Sequence, residues 1–512
     1  MAKKTEPTAA PASPPPNDTD RAKSAPADQL VETEHSVSIG GREISYTVTT
    51  GTMILKEEAE KKGDEEGASD GEQPRAAVFF IAYTRRGVGD LAQRPVTFSF
   101  NGGPGSSSVW LHLGVLGPRR VVMDDIGNLT RPPYALTDNE HSLLDETDLV
   151  FIDPVGTGYS RPVVGEKAKD FHTFKKDIES VGDFIRMYAT RYRRWKSPKF
   201  LIGESYGTTR AAGLSGYLQE RHGMYLNGIM LVSSILEFHT TDFVPSNDLP
   251  CILFLPSYAA TAWFHRRLAP ELQKDLVATL KEVQAFALGP YAAALLQGSA
   301  LPTAERSRIA EQVARFTGLT AAYVERANLR IEIMRFTKEL LRHERRSVGR
   351  LDSRFTGIDR DATGEQPGHD PSFTNIIGPY TATFNDYVRG ELGFESDLPY
   401  EILSFKTHEN WRFQEHENQF VDVAETLRKA MTINPFLKVF IASGYFDLAT
   451  PYFATDYTVS RLGLDETLRA NLSVAYYEAG HMMYIHLPSL ARLKQDLARF
   501  VQSAMASQHE GA

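Results

Sequence analysis

Short apolar runs alternate with amphipathic stretches along much of the chain. Runs rich in β-branched and aromatic residues predict buried strands at 96–100, 149–152, 200–202, 229–232, 436–441 and 472–477. Apolar residues recur at helical spacing in two further segments: Phe174, Ile178, Val181, Ile185 and Tyr188, then Leu490, Leu493, Leu497, Phe500 and Val501. Buried strands that alternate with helices indicate a parallel sheet covered by helices.

The N-terminal part has a different pattern. Residues 1–30 are rich in Pro and Ala and poor in large apolar residues, which predicts a disordered tail. Alternating apolar residues predict strands at 35–50 and 76–84, and the charged segment 56–75 between them is expected to be a long hairpin loop.

From 238 to 431 the strand pattern stops and helical stretches dominate, so nearly 200 residues precede the last two strands. The sequence therefore predicts a catalytic α/β core formed by residues 31–237 and 432–505. Residues 238–431 are expected to form a mostly helical cap over the active site.

The composition is that of an ordinary globular protein, with 42% hydrophobic and 24% charged residues among 512. A net charge of −9 argues against a nucleic-acid partner, and no segment has the uncharged length of a membrane span. Cys251 is the single cysteine, which rules out an intramolecular disulfide. The N-terminus has no secretory signal, so we expect a cytoplasmic protein, or a periplasmic or secreted one if the N-terminus is incomplete. The oligomeric state stays open.

The most informative motif is Gly203-Glu204-Ser205-Tyr206-Gly207, which lies between a predicted strand and a predicted helix. The two glycines let the chain reverse sharply and lift the serine hydroxyl clear of the sheet. The unpaired N–H groups and the dipole of the helix favour a carbonyl oxygen that becomes negative. The motif predicts a nucleophilic serine at 205.

A serine nucleophile needs a base and a third group that orients the base. With this type of turn, the order along the chain is serine, then an acid, then histidine, on loops after late strands. Asp447 and His481 each follow a predicted late strand and fit that order. Asp456 is the nearest rival acid, but it lies further into the next segment.

A glycine cluster, Asn101-Gly102-Gly103-Pro104-Gly105, directly follows the predicted strand 96–100. It has no Gly-Lys-Ser/Thr ending and no basic residue, which argues against a phosphate loop. We interpret it as a source of backbone N–H donors for an oxyanion beside Ser205.

Four blocks, NGGPGSSS, IDPVGTGYS, GESYG and AGHM, occur in this order between residues 101 and 482. Together they resemble the serine carboxypeptidase family, peptidase family S10, in a bacterial-type member. The resemblance implies an α/β-hydrolase fold with a large, mostly helical cap insertion. It also implies a serine-type carboxypeptidase that releases C-terminal residues from peptides with a free C-terminus, through an acyl-enzyme and without cofactor or metal.

Carried over residue by residue, the resemblance makes Ser205 the nucleophile, His481 the base and Asp447 its orienting carboxylate. The N–H groups of Gly103 and Tyr206 would form the oxyanion hole. Asn101, Gly102 and Glu204 would bind the free carboxylate of the substrate. Glu204 can do so only when it is protonated, because a neutral carboxyl donates a hydrogen bond where a charged one repels.

The chain departs from the family pattern at two positions. Many members carry a second Glu fourteen residues after the Asn, where this chain has Val115, so the carboxyl pair is incomplete. Arg119 or Arg120 is an alternative partner for the substrate carboxylate. Ser106 stands where familiar eukaryotic members have Cys, which favours a bacterial-type or intracellular branch.

Three alternative functions stay open. An esterase or acyltransferase would use the same triad and fold, and Val115 favours this alternative because it weakens the carboxylate site. A binding protein without catalysis would need an idle Ser205. A zinc hydrolase would need ligands such as His408 and His416, whose spacing is not that of a known zinc motif.

Overall fold

A computed structural model describes residues 26–60 and 69–506, and its centre is a ten-stranded mixed sheet. The strands of its main path are β1 Gln29–Ile39, β2 Arg42–Glu60, β3 Ser69–Arg85, β4 Val96–Phe100, β5 Asp148–Ile152, β6 Lys199–Ser205, β7 Gly228–Ser234, β8 Lys438–Gly444 and β9 Leu472–Tyr477. They lie in the order β1-β2-β3-β5-β4-β6-β7-β8-β9, and the two-residue strand Arg161–Pro162 pairs with β3.

The strands from β4 to β9 are parallel, as their apolar runs predict. Every residue of β4 and β5 is buried, since helices cover both faces of the sheet. The predicted and observed limits agree for β4 and β9. The predicted strand 436–441 begins late, at Lys438, and Phe436 is exposed.

The prediction of a long loop at 56–75 is wrong for residues 56–60 and 69–75, and residues 61–68 lie outside the described residues. β2 continues to Glu60 and β3 begins at Ser69, and the two strands pair antiparallel, with Lys56 opposite Pro74 and Glu57 opposite Gln73. The Lys56 and Glu72 side chains are exposed, and the backbone hydrogen bonds that pair the two strands do not depend on composition. Of the predicted tail, residues 1–25 lie outside the described residues, and from Gln29 the chain is in β1.

The helices are α1 Val109–Leu111, α2 Phe174–Arg191, α3 Tyr206–His222, α4 Leu249–Phe264, α5 Leu276–Phe286, α6 Ala292–Gln297, α7 Thr303–Thr317, α8 Ala321–Arg326, α9 Ile333–Glu339, α10 Pro371–Gly390, α11 Phe405–Glu409, α12 Ala424–Ile433, α13 Tyr452–Arg461, α14 Glu466–Arg469 and α15 Leu487–Ala506. A π-helical turn, His112–Leu116, continues α1. Two short antiparallel strand pairs lie outside the main sheet, Arg119–Val121 with Leu136–Asp138 and Arg346–Val348 with Thr356–Ile358.

Two hydrophobic layers cover the faces of the sheet. On one face lie α2, α3 and α12, which contribute Val181, Leu214 and Leu427. On the other face lie α10 and α15, which contribute Tyr380 and Leu493. Both segments with predicted helical spacing are therefore helices with buried apolar stripes.

The residues between β7 and β8 contribute to the structure in two ways. Helices α4 to α9 share a third hydrophobic cluster, which contains Phe254, Val313 and Phe336 and also takes in Phe446 and Tyr452. Helices α10 and α12 pack on the sheet layers instead. The division into a core and a cap stays a prediction. Cys251 is buried in the third cluster.

None of the helices in residues 26–60 and 69–506 combines the length and the apolar character needed to cross a membrane.

Candidate active site

Ser205 stands at the turn between β6 and α3, in the conformation expected of a nucleophile elbow. Its φ of 60° and ψ of −131° are unusual for a residue with a side chain. Glycines make the turn possible, since a Cβ at Gly203 would lie 2.1 Å from the carbonyl oxygen of Gly207. A Cβ at Gly207 would lie 2.8 Å from the carbonyl oxygen of Phe100. The elbow therefore depends on glycine at both positions.

The glycine loop after β4 lies directly against this turn. A Cβ at Gly102 would lie 2.4 Å from the backbone nitrogen of Tyr206, so the two backbones meet without side chains between them. Gly103 has a φ of 101°, in the region that favours glycine. Arg210 of α3 donates to the carbonyl oxygen of Asn101 at 2.5 Å, which ties the loop to the helix.

Asp447 and His481 form a buried pair. Nδ1 of His481 donates to Oδ2 of Asp447 over 2.7 Å. The backbone N–H groups of Ala449 and Thr450 donate to Oδ1 at 2.7 and 3.0 Å, and the Thr450 hydroxyl donates to Oδ2 at 2.7 Å. Burial lowers the pKa of His481, but the Asp447 carboxylate and the nearby Glu204 outweigh this effect, so the pKa is raised above its ordinary value.

The loop that carries His481 is held by residues from other parts of the chain. The N–H of His481 donates to the carbonyl oxygen of Leu351 at 2.7 Å, and the Ser233 hydroxyl donates to the carbonyl oxygen of His481 at 2.6 Å. The N–H of Gly480 donates to Asp352 at 3.1 Å, and Asp352 is paired with Arg354. These contacts fix the backbone on both sides of the imidazole.

Glu204 is buried beside Ser205 and accepts a hydrogen bond from the Tyr484 hydroxyl at Oε2. Burial raises the pKa of Glu204 to about 7, while the imidazole of His481 and the Tyr484 hydroxyl oppose this shift. Asn101 is also buried. Its Oδ1 accepts from the N–H of Leu111, and its Nδ2 has no hydrogen-bond partner among the described residues.

A cavity of about 350 Å³ joins these groups. Its polar wall contains Asn101, Gly102, Gly103, Glu204, Ser205 and His481, and its apolar wall contains Trp110, Leu351, Phe373, Ile376, Leu403, Phe405 and Met482. A second cavity of about 190 Å³ shares Gly103 and Ser205 with the first and is lined by Tyr206, Ile235, Phe238, Phe254, Ile333 and Leu448. Arg350 lines both cavities.

Seven of the eight predicted site residues thus line one of the two cavities, and Asp447 is buried behind His481. The expectation for Arg119 is wrong, because this residue pairs with Asp138 and Glu391 and lines neither cavity. Arg120 lines neither cavity as well. Val115 is buried in the hydrophobic core.

Asp456, the rival acid, and His408, one of the two histidines considered as zinc ligands, each contact residues outside the predicted triad. Asp456 accepts from the Tyr476 hydroxyl at 2.6 Å and does not contact His481. His408 lines the cavity and its Nδ1 lies 3.2 Å from the carbonyl oxygen of Pro104. In the part of the chain that the structure describes, no group of three or more His, Cys, Asp or Glu residues is arranged to hold a metal ion.

Sequence reasoning missed the residues that support the site, namely Thr450, Asp352, Tyr484, Ser233 and Arg350. Thr450 and Tyr484 lie three residues after Asp447 and His481, so a search next to the predicted triad would have found them. Asp352, Ser233 and Arg350 are far along the chain, and no local pattern marks them.

Comparison with known proteins gives matches at the level of family and fold. The family model described as serine carboxypeptidase matches residues 68–483. Pheromone-processing carboxypeptidase KEX1 of Saccharomyces cerevisiae is 35% identical over 150 residues, which are 28% of this chain and 19% of that protein. Serine carboxypeptidase-like 29 of Arabidopsis thaliana is 26% identical over 178 residues, 33% of this chain and 35% of that protein. These matches span about a fifth to a third of the curated relatives.

A crystal structure of KEX1, described as a prohormone-processing carboxypeptidase from Saccharomyces cerevisiae, aligns with a TM-score of 0.55 at 15% identity. The alignment covers 89% of this chain and 91% of that one, which shows a common α/β-hydrolase fold. Since the family model matches far more than half of the sequence, the chain belongs to the serine carboxypeptidase family.

Proposed function

We propose that this protein is a serine-type carboxypeptidase that releases the C-terminal residue of peptides, with Ser205, His481 and Asp447 as its triad. The observation that carries the proposal is the neighbourhood of Ser205. Two groups line the same cavity as the serine: Glu204, a carboxyl whose pKa burial raises to about 7, and Asn101, whose Nδ2 donates to no other described residue. Neutral donors of this kind can bind a substrate carboxylate, which an ionised Glu204 would repel.

In the proposed reaction, Oγ of Ser205 attacks the scissile carbonyl carbon while Nε2 of His481 takes the hydroxyl proton. The N–H groups of Gly103 and Tyr206 stabilise the oxyanion. When the C–N bond breaks, the proton passes from His481 to the leaving amine, and the acyl group stays on Oγ. Water then attacks the acyl-enzyme with His481 as base, which frees the shortened peptide and restores the serine.

Asp447 holds the imidazole with Nδ1 protonated and stabilises the imidazolium that forms in each half of the reaction. In the cavity, the terminal carboxylate is bound by Asn101, the N–H of Gly102 and neutral Glu204. This contact sets the distance from the chain end to the attacked carbonyl, which makes the enzyme an exopeptidase.

The cavity walls also indicate the side chains that fit. The cavity that holds the carboxylate donors is walled by Trp110, Phe373, Ile376, Leu403 and Met482. We propose that the released residue is large and apolar. Residues 238–431, proposed as the cap, supply Phe373, Ile376 and Leu403. The cytoplasmic location stays the prediction made from the sequence.

The test is hydrolysis of a blocked dipeptide with a free terminal carboxylate, compared with its amide and with a simple ester. We expect the free acid to be preferred below about pH 7, where Glu204 is neutral, and this preference to vanish as Glu204 ionises. The amide should show no loss of rate through the same range, because it has no charge for Glu204 to repel.

Ser205→Ala is the control, and it should lower kcat by about 10⁴ to 10⁶ on every substrate. An ester turned over well, with no preference for the free acid at any pH, would favour the esterase or acyltransferase alternative. Unchanged turnover by Ser205→Ala would overturn both.

A further inference from the structure

Glu204, which lines the cavity, has a hydrogen-bond partner that the family pattern does not predict. Glu204 Oε2 accepts a hydrogen bond from the Tyr484 hydroxyl, and both side chains are buried. Position 115, where a second carboxyl was expected, holds a valine that lies in the core and lines neither cavity. A phenol therefore provides the contact for Glu204 in this chain.

The backbone makes room for the Tyr484 ring. A Cβ at Gly114 would lie 2.4 Å from Cε2 and 2.6 Å from Cδ2 of that ring, which real atoms do not approach. It would also lie 2.9 Å from the Tyr380 hydroxyl. Gly114 is part of the π-helical turn after α1, and this irregular turn faces the ring with a glycine. Helix, ring and carboxyl thus form one packed unit.

Tyr484 is also close to the base along the chain. It lies three residues after His481, in the short turn Met483–Ile485, so one loop carries the imidazole and the phenol. The phenol occupies Oε2 of Glu204 as a donor. A neutral Glu204 then carries its proton on Oε1. We infer that Oε1 is the oxygen that donates to a substrate carboxylate bound near Asn101.

We propose that Tyr484 is a positioning residue for the terminal carboxylate of the substrate: its hydroxyl holds Oε2 of Glu204, so that the neutral carboxyl donates from Oε1. This inference rests on the proposed carboxypeptidase function and deepens it. Tyr484 does not touch the reacting atoms. It selects substrates with a free carboxylate by fixing which oxygen of Glu204 acts as the donor.

The groups that face Glu204 decide how its titration responds. Burial raises its pKa, the His481 imidazole and the Tyr484 hydroxyl lower it, Asp447 raises it, and the nearby Asn101 side chain lowers it. Burial, with a contribution from Glu204, raises the pKa of Tyr380, so this phenol stays neutral and has no charge that acts on Glu204. Removal of the Tyr484 hydroxyl takes away a donor to the ionised form, so Glu204 should keep its proton to higher pH.

The experiment compares the wild type with Tyr484→Phe in pH profiles of kcat/KM for a blocked dipeptide acid and for its amide. For the acid we expect kcat/KM to fall about tenfold below the alkaline limb, because the donor oxygen is no longer fixed. The alkaline limb should move to higher pH. The amide should be hydrolysed at the wild-type rate. Tyr380→Phe is the matched control, since it removes a neighbouring buried phenol that makes no hydrogen bond to Glu204, and neither profile should change.

An unchanged ratio of acid to amide hydrolysis, with the alkaline limb in place, would overturn the role of Tyr484. An equal loss on both substrates would overturn it as well, since that is the result of a packing defect. If the wild type itself shows no preference for the acid, the proposed function fails first, and that result is seen before any variant is made.

A binding measurement separates recognition of the carboxylate from the chemical step. Ser205→Ala, with and without Tyr484→Phe, is titrated with the blocked dipeptide acid and with the amide by calorimetry. We expect the second substitution to weaken acid binding about tenfold and to leave amide binding unchanged. Equal weakening of both would contradict the proposal.

Discussion

The site holds two buried acids, Glu204 beside Ser205 and Asp447 behind His481, and the protein surrounds them differently. Asp447 accepts from two backbone N–H groups, the Thr450 hydroxyl and the His481 imidazole. Glu204 accepts from the Tyr484 hydroxyl, and burial raises its pKa to about 7. The number of donors around a carboxyl decides which form it takes when water is excluded.

The difference matches the two tasks that we propose for these acids. The base needs a charged partner that raises the pKa of His481, and Asp447 provides it. A substrate carboxylate needs a neutral donor, and Glu204 can provide it below about pH 7. The Asp447 charge also raises the pKa of Glu204, so the two acids influence each other.

The largest effect is expected from Asp447→Asn. The amide keeps the shape but loses the charge that stabilises imidazolium, so kcat should fall by about 10⁴ on acid and ester substrates alike. The pKa of His481 should also fall, because its main raising partner is gone. Steady-state kinetics and an NMR titration of the imidazole measure both effects.

Asp456→Asn is the control for this prediction, because Asp456 bonds to Tyr476 and does not contact His481. We expect wild-type kinetics from it. If the two substitutions were equally harmful, the assignment of Asp447 as the orienting acid would be wrong.

A smaller and more selective effect is expected from Glu204→Gln. The amide stays a neutral donor at every pH, so hydrolysis of a free-acid peptide should show no decline above pH 7. At acidic pH the rate should be about tenfold lower than in the wild type, because an amide is a weaker donor than a protonated carboxyl. The pH profiles of wild type and variant should therefore cross. Parallel profiles would show that Glu204 does not control the alkaline limb.

The smallest effect is expected from Thr450→Val, which keeps the side-chain volume and removes the hydroxyl that donates to Asp447 at 2.7 Å. Loss of one hydrogen bond of this kind costs about 1 kcal/mol, or roughly fivefold in kcat. Acid and ester substrates should suffer alike, since the change acts through the base. A loss confined to the free acid would contradict this prediction, because it would show that Thr450 acts on carboxylate binding and not through the base.

Local rules made the elbow and the order of the triad predictable. Gly203 and Gly207 mark a turn that only glycines allow, and Asp447 and His481 follow strands whose carboxyl ends meet at one edge of the sheet. The supporting residues were not predictable, because Asp352 reaches Gly480 only through the tertiary fold. Composition was misleading at 56–60 and 69–75, where the two strands keep their backbone pairing although the segment is rich in charged residues.

The contacts of Leu351 and Asp352 with the His481 loop bear on protein engineering. Both residues belong to the long segment between β7 and β8, which has the appearance of an accessory that could be trimmed to obtain a minimal hydrolase. Deleting it would take away the acceptors for two consecutive N–H groups at the imidazole. The loop that carries His481 would therefore have to be redesigned before a shortened enzyme could be active.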